Sequence, residues 1–207
     1  FPKVFGIGFQ KTGTTTLLAV FRALGYHCKD YGKELIPSLA RGDLQPAFEI
    51  ADQYDAFEDN PWPLIYRELD QRYPGSKFIL TIRDEESWIK SVVNHLGYLP
   101  DPMQTLVYGV GFPAGYEDVF LARYRRHNEE VQAHFADRPE DLLVVDFAAG
   151  QGWPEICAFL GREVPDLDFP HEFKGSYSAG KSRSRRVASR VVHGLRRLGG
   201  GGRRADG

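Results

Sequence analysis

A glycine-rich loop at residues 8–16 constrains the fold of this chain more than any other feature. It reads GFQKTGTTT and lies between a short apolar segment, residues 3–8, and residues 14–24, whose apolar side chains recur at helical spacing. In such a strand, loop and helix, backbone N–H groups and the positive end of the helix dipole point at one anion. We therefore predict an anion-binding loop, with a turn that merely joins strand to helix as the alternative.

The position of Lys11 separates this loop from that of magnesium-dependent nucleotide hydrolases and kinases. In the pattern G-x-x-x-x-G-K-[ST], the lysine follows the second glycine and the next hydroxyl binds Mg²⁺. Here the lysine precedes Gly13, and Thr14 follows that glycine. A kinase or nucleotidase that uses Mg²⁺-ATP stays open as an alternative, but it would also need a Mg²⁺-binding aspartate after an apolar strand, and only Asp146 is a candidate.

The loop resembles the 5′-phosphosulfate-binding loop of sulfotransferases that use 3′-phosphoadenosine 5′-phosphosulfate (PAPS). The usual form of that loop is a lysine, one or two small residues, a glycine and then threonine or serine. The family carries a second signature for the 3′-phosphate, an arginine at the end of a later strand and a serine eight residues beyond it, and Arg83 and Ser91 have this spacing. Residues 169–172, FPHE, resemble an element of the diverse cytosolic-type branch, although Phe173 stands near a position where that branch often has asparagine.

The resemblance covers about residues 5–174 and implies a donor site. PAPS would be the donor and adenosine 3′,5′-bisphosphate (PAP) the product, with no metal ion. In-line sulfuryl transfer depends mostly on positioning and charge stabilisation, and Lys11 is expected to stabilise the leaving oxygen. The predicted donor-binding residues are Gln10, Lys11, Thr12, Gly13, Thr14, Thr15, Thr16, Arg83 and Ser91.

An acceptor also requires a general base, and the resemblance implies an acidic or histidine base after the second strand of the sheet. Glu58 and Asp59 follow a predicted short strand at residues 56–58. We favour Asp59, which precedes Asn60-Pro61 and could face the ligand crevice. An ordinary aspartate has a pKa of about 3.9, so an efficient base here needs partial desolvation. The alternative role for Asp59 is to cap a helix predicted at residues 61–73.

The acceptor itself is expected to be a small molecule or a glycan with a hydroxyl or amine group. Residues 96–116 combine glycines and prolines with aromatic residues, which is typical of a binding loop or lid, although these aromatics could instead pack against the sheet. The candidate acceptor contacts are Glu58, His95, Tyr98, Tyr108 and Phe112. A protein that binds PAP or PAPS without catalysis remains a further alternative.

The order of elements predicts an α/β, three-layer P-loop-type fold with a central parallel β-sheet and helices on both faces. Apolar strands at residues 77–82 and 142–146 alternate with predicted helices, including one at residues 153–160. We expect residues 1–180 to form one domain. Residues 181–207 form a basic Gly/Arg-rich tail that we predict to be flexible. Two alternatives are a short amphipathic helix at residues 186–198 and a segment that closes over the nucleotide together with Lys174 and Gly175.

Composition indicates a soluble globular protein without a nucleic-acid partner. The net charge is −2, but the tail holds nine basic residues and one acidic residue, so it carries +8 and the preceding residues carry −10. No run of eighteen apolar residues occurs, and we expect neither a membrane span nor a signal peptide. Two cysteines, Cys28 and Cys157, and the lack of zinc-ligand spacing favour a cytoplasmic protein without a metal site. Nothing in the sequence indicates an oligomeric state.

Overall fold

Five parallel strands form the central sheet of the structure, a computed structural model that describes residues 2–170. They are β1 (Val4–Gly6), β2 (Cys28–Lys29), β3 (Ala56–Phe57), β4 (Lys77–Thr81) and β5 (Leu142–Val145), in the order β2-β3-β1-β4-β5. All four pairings are parallel, and β1 lies between β3 and β4. The segments that follow β1, β3 and β4 therefore leave the same edge of the sheet side by side, which is where open α/β sheets bind ligands.

Eight α-helices accompany these strands within the described range. They are α1 (Thr14–Ala23), α2 (Ile36–Leu39), α3 (Gln45–Ala51), α4 (Tyr66–Arg72), α5 (Glu85–Leu96), α6 (Pro102–Tyr108), α7 (Glu117–His134) and α8 (Trp153–Leu160). Asp84 caps α5 by accepting a hydrogen bond from the Ser87 N–H at 2.9 Å, and Asp101 caps α6 in the same way. Both caps satisfy N–H groups that have no partner inside the helix.

The sheet is covered on both faces, so the predicted three-layer α/β fold with a central parallel sheet is confirmed. Alternate strand residues point to opposite faces. Phe5, Phe57 and Phe78 lie on one face, with ring centroids of Phe5 4.7 and 5.4 Å from the other two, and pack with residues of α3, α4 and α7. On the opposite face, Val4 and Ile79 pack with residues of α1 and α8.

One prediction about a helix was wrong. The helix predicted at residues 61–73 is divided, because Trp62–Leu64 form a single 3₁₀ turn and Ile65, with φ of −118°, leaves helical geometry before α4 begins. The segment at residues 96–116, interpreted from the sequence as a binding loop or lid, contains α6. A third apolar cluster, built from residues of α5, α6 and α7, packs around Phe9 of the glycine-rich loop.

Several sequence predictions concern residues outside the described range. The basic tail at residues 181–207, the nucleotide-closing candidates Lys174 and Gly175, and the histidine of the FPHE segment are all among them. The described residues form one compact unit. Within it, none of the helices combines the length and the apolar character needed to cross a membrane.

Candidate active site

The loop after β1 is held against the end of β4 by contacts that only glycine permits. A Cβ atom on Gly8 would lie 2.0 Å from the Oγ1 atom of Thr81. The Thr81 hydroxyl lies 2.6 Å from that of Thr12, which donates to the Phe9 carbonyl at 2.6 Å. Because a hydroxyl has one hydrogen, Thr81 must be the donor to Thr12. The side chain of Thr12 therefore closes the loop on itself.

Left-handed backbone conformations shape the centre of this loop. Lys11 has φ of 71° and Gly13 has φ of 112°. For Gly13, an added Cβ would also lie 2.5 Å from the ring of Phe147, which follows β5. A lysine in this region costs of the order of 1 kcal/mol, and such strained residues cluster at functional sites. The strain is therefore consistent with a functional position for Lys11.

Arg83 follows β4 and reaches the loop, as its position in the sequence predicts. Its Nη1 atom donates to the Lys11 carbonyl at 3.4 Å. The hydroxyl of Tyr124 lies 2.9 Å from both the N–H and the carbonyl oxygen of Arg83 and so holds its backbone. Burial lowers the pKa of Lys11, and the positive charge of Arg83 lowers it further, while Asp59 opposes both effects. Two cations thus lie side by side where an anion would relieve their repulsion.

Asp59 follows β3 and lies within electrostatic range of Lys11. Burial raises its pKa to about 6 and Asp30 adds to the rise, while the Asn60 N–H and Lys11 act in the opposite direction. The Asn60 N–H donates to Oδ1 of Asp59 at 2.7 Å, and Asp59 has φ of 66°. Asp59 does not cap a helix, because the following 3₁₀ turn and α4 begin from Pro61 and Ile65. The helix-cap alternative is therefore wrong.

Glu58 is chemically distinct from its neighbour. It is 2% exposed, and burial followed by the charge of Asp59 raises its pKa well above the ordinary range, against a hydrogen bond from Thr14. Its Oε1 atom has no hydrogen-bond partner among residues 2–170. Burial therefore favours the protonated form of Glu58, whereas the carboxyl group of Asp59 ionises above about pH 6.

Gln10 was predicted to bind the donor, but its side chain is engaged inside the protein. It is 7% exposed, and its Nε2 atom donates to Oε1 of Gln104 at 3.1 Å and to the Tyr108 hydroxyl at 2.8 Å. Its Oε1 atom accepts from Nδ2 of Asn60 at 2.8 Å. The indole N–H of Trp88 donates to the backbone carbonyl of Gln10 at 2.9 Å. These contacts brace the loop from α5 and α6.

This network joins the two sides of the site. Gln10 precedes Lys11, and Asn60 follows Asp59, so their hydrogen bond links the neighbours of the loop lysine and the carboxylate. Sequence reasoning missed Asn60 and Gln104 as site residues. Their distances of 50 and 94 residues from Gln10 along the chain leave no local pattern that could reveal them.

The other predicted site residues occupy varied positions. Thr14 and Thr16 are buried at the start of α1, and Thr15 between them is exposed. Ser91 and His95 are half-buried on α5. Arg83 and Ser91 share no hydrogen bond in the region that the structure describes, so a common role requires a phosphate between them and stays a prediction.

Among the aromatic acceptor candidates, the structure separates buried from accessible side chains. Tyr108 is buried and stacks on Phe120 with ring centroids 3.8 Å apart. Tyr98 is 77% exposed, and Phe112 is half-buried with its ring 5.5 Å from that of Tyr116. Packing therefore accounts for Tyr108, while Tyr98 and Phe112 stay accessible to a ligand.

The arrangement can bind an anion and accept a proton. Lys11 and Arg83 supply positive charge, the start of α1 supplies backbone N–H donors, and Asp59 supplies a carboxylate with a pKa of about 6. From residue 2 to residue 170, no group of three or more His, Cys, Asp or Glu side chains is placed to hold a metal ion.

Comparison with known proteins identifies a family. The sulfotransferase domain family matches residues 3–110 and 101–177 of this chain. The protein named Ava biosynthesis cluster protein M, from Aspergillus versicolor, is 28% identical over an alignment of 211 residues. The alignment covers 82% of this chain and 80% of that protein. A gluconokinase from Sinorhizobium meliloti 1021 aligns in structure with 64% of this chain and 97% of its own, at 15% identity and a TM-score of 0.35. That score is too low to carry an argument.

Proposed function

The chain belongs to the sulfotransferase domain family, and on this premise we propose that it transfers a sulfuryl group from PAPS to a hydroxyl or amine of a small molecule or glycan. One observation carries the proposal. Lys11, Arg83 and Asp59, which follow three adjacent parallel strands, lie close together at the carboxyl edge of the sheet. This arrangement supports a donor-binding cation pair with a base beside it.

The residues at this edge fit the donor. Arg83 and Lys11 carry like charges that disfavour each other, as the lowered pKa of Lys11 indicates, and an anionic nucleotide would offset this repulsion. In the proposal, Lys11 and the N–H groups of Gly13 to Thr16 hold the 5′-phosphosulfate, while Arg83 and Ser91 hold the 3′-phosphate. Gln10 and Thr12 contribute by keeping the loop in shape, because their side chains are already hydrogen-bonded.

PAPS, when bound, supplies the sulfuryl group and a phosphate oxygen as the leaving group. Transfer proceeds in line, and Lys11 stabilises the negative charge that develops on that oxygen. Asp59 accepts the proton of the acceptor, since its pKa of about 6 leaves it ionised yet basic near neutral pH. Burial disfavours the carboxylate form that a base requires in Glu58, so Glu58 is a weaker candidate for the base.

The acceptor is proposed to lie beside α5 and the segment that follows it. His95, Tyr98 and Phe112 are the proposed contacts there, since they are half-buried or exposed and so open to a ligand. We also propose a cytoplasmic location, because Cys28 and Cys157 are free thiols, which a reducing compartment preserves.

Calorimetric titration with PAP, compared with Mg²⁺-ATP in the same buffer, tests the donor site. We expect PAP to bind at micromolar or lower concentration without a metal, and to bind much more weakly to the Lys11→Met variant. A preference for Mg²⁺-ATP would replace this proposal with the kinase alternative. If PAP binds but PAPS is not converted to PAP with any hydroxyl or amine acceptor in a broad panel, the non-catalytic alternative would take its place.

A further inference from the structure

A cavity lies between α6 and α7. Its volume is about 560 Å³, and its lining includes Val107 and Tyr108 of α6 and Asp118, Arg123 and Arg126 of α7. It lies behind the glycine-rich loop, because Tyr108 hydrogen-bonds Gln10 and Arg123 lies over the ring of Phe9, 5.1 Å from its centroid. The proposed catalytic residues are not part of its lining.

Arg123 is the unusual member of this lining. It is half-buried, and it makes neither a hydrogen bond nor an ion pair with any residue from 2 to 170. Its Nη1 atom is fully buried without a partner. By contrast, Arg125 pairs with Glu85, and Arg138 pairs with Asp70 at 2.7 Å.

An unpaired buried guanidinium is costly, because arginine does not give up its proton. Burial lowers the pKa of Arg123, and the charge of Arg126 lowers it further, but an arginine stays charged at any physiological pH. Burying part of a charged group without a hydrogen-bond partner is unfavourable, and the Nη1 atom of Arg123 is in this position. Glu130 lies within electrostatic range of Arg123 but is 3.8 Å from Arg126, with which it pairs. Among the described residues, the Phe9 ring and the charge of Glu130 reduce this cost, but no hydrogen bond or ion pair to Arg123 removes it.

The charges of the cavity favour an anion. Its lining holds two arginines, Arg123 and Arg126, and one carboxylate, the exposed Asp118. Arg123 therefore leaves one net positive charge beside apolar walls that include Val107. A guanidinium presents a planar fork of N–H donors that matches carboxylate, sulfate and phosphate oxygens.

We propose that this cavity binds a small molecule through an oxyanion, a carboxylate, sulfate or phosphate group, with Arg123 as the main contact. The site is separate from the donor loop and does not depend on the proposed function. The bound molecule would contact Tyr108, whose hydroxyl accepts a hydrogen bond from the Gln10 side chain.

Thermal unfolding in sodium sulfate, sodium phosphate and sodium acetate, each at constant ionic strength set with chloride, tests the proposal. The Lys11→Met background weakens oxyanion binding at the donor loop, and all comparisons are made within that background. A ligand that binds the folded state raises the unfolding temperature with its concentration. We expect at least one of the three anions to stabilise Lys11→Met, and the double variant Lys11→Met/Arg123→Met to need about tenfold more anion for the same shift. The anion that acts at the lowest concentration identifies the preferred group.

Two further variants make the result specific. Arg41→Met, at an exposed arginine after α2, is the matched control and should leave the anion effect unchanged. Asp118→Asn removes a surface carboxylate from the lining and should strengthen the anion effect, which gives a test that does not require Arg123→Met to fold. The proposal is overturned if none of the anions stabilises Lys11→Met, or if the anion effect is the same with and without Arg123 or Asp118.

Discussion

Replacing Asp59 by asparagine should make the protein more stable and much less active. Asparagine has nearly the same shape as aspartate and tolerates the left-handed backbone at φ of 66°. Its side-chain oxygen can still accept the Asn60 N–H that donates to Oδ1 of Asp59 at 2.7 Å. The substitution therefore removes the charge and leaves the local geometry intact.

The size of the stability gain follows from the pKa of Asp59. Burial raises that pKa from 3.8 to about 6, so the folded state holds the proton more tightly than the unfolded state does. The free energy of unfolding consequently falls as the pH rises from 3.8 to about 6, and the penalty is complete above that range. Each pKa unit corresponds to about 1.4 kcal/mol, so Asp59→Asn should gain at most about 3 kcal/mol near neutral pH and little near pH 4.

Urea unfolding of both proteins at about pH 4, 5, 6 and 7.5 measures this difference. Turnover and PAP affinity are measured in parallel. Turnover should fall by about 10²-fold or more because a general base is lost, whereas PAP affinity should change only severalfold. Asp137→Asn is the control, since the Asp137 side chain is 87% exposed.

Three results would refute this reasoning. If the stability difference between the wild type and Asp59→Asn does not grow with pH, the carboxylate is not penalised by burial. A loss of stability at pH 7.5 would show that the charge itself holds the loop together. Turnover equal to that of the wild type would remove Asp59 as the base, whatever the stability data show.

Four other changes test the rest of the site. Lys11→Met should reduce turnover to background while the unfolding midpoint stays within a few degrees, and residual activity above about 1% would show that another group stabilises the leaving oxygen. Arg83→Met should weaken PAP by tenfold or more and adenosine 5′-phosphosulfate, which lacks the 3′-phosphate, by much less; equal losses in calorimetry would show another role. Gln10→Leu and Asn60→Leu, combined in a double-mutant cycle of urea unfolding, should show a coupling energy of about 1 kcal/mol, and purely additive effects would mean that their hydrogen bond contributes nothing. Gly8→Ala should lower the unfolding free energy by about 3 kcal/mol, because its Cβ would overlap the end of β4, and a neutral effect would show that the strand can move away.

Much of the fold was predictable because its signals are local. The apolar runs that form β1, β4 and β5 and the glycine between strand and α1 are each visible within about ten residues. α6 and α7 were not predicted. The buried residues of α7, Phe120, Tyr124, His127 and Val131, do have helical spacing, but they are separated by charged residues that obscure it.

The loop sequence alone indicated an anion site with a displaced lysine, and the family match agrees with the sulfotransferase resemblance drawn from it. The positions of Lys11, Asp59 and Arg83 at one edge also followed from the sequence, since strands in a parallel sheet end on the same side.

Only the tertiary structure decided the chemical state of these groups. The pKa of Asp59 depends on burial and on Asp30, and the pKa of Lys11 depends on burial and on Arg83. The role of Gln10 as a brace likewise depends on partners 50 or more residues away. The sequence determines which ionisable and polar groups are present. Their desolvation and long-range hydrogen bonds arise only when distant segments pack together, and these determine the pKa and the role of each group.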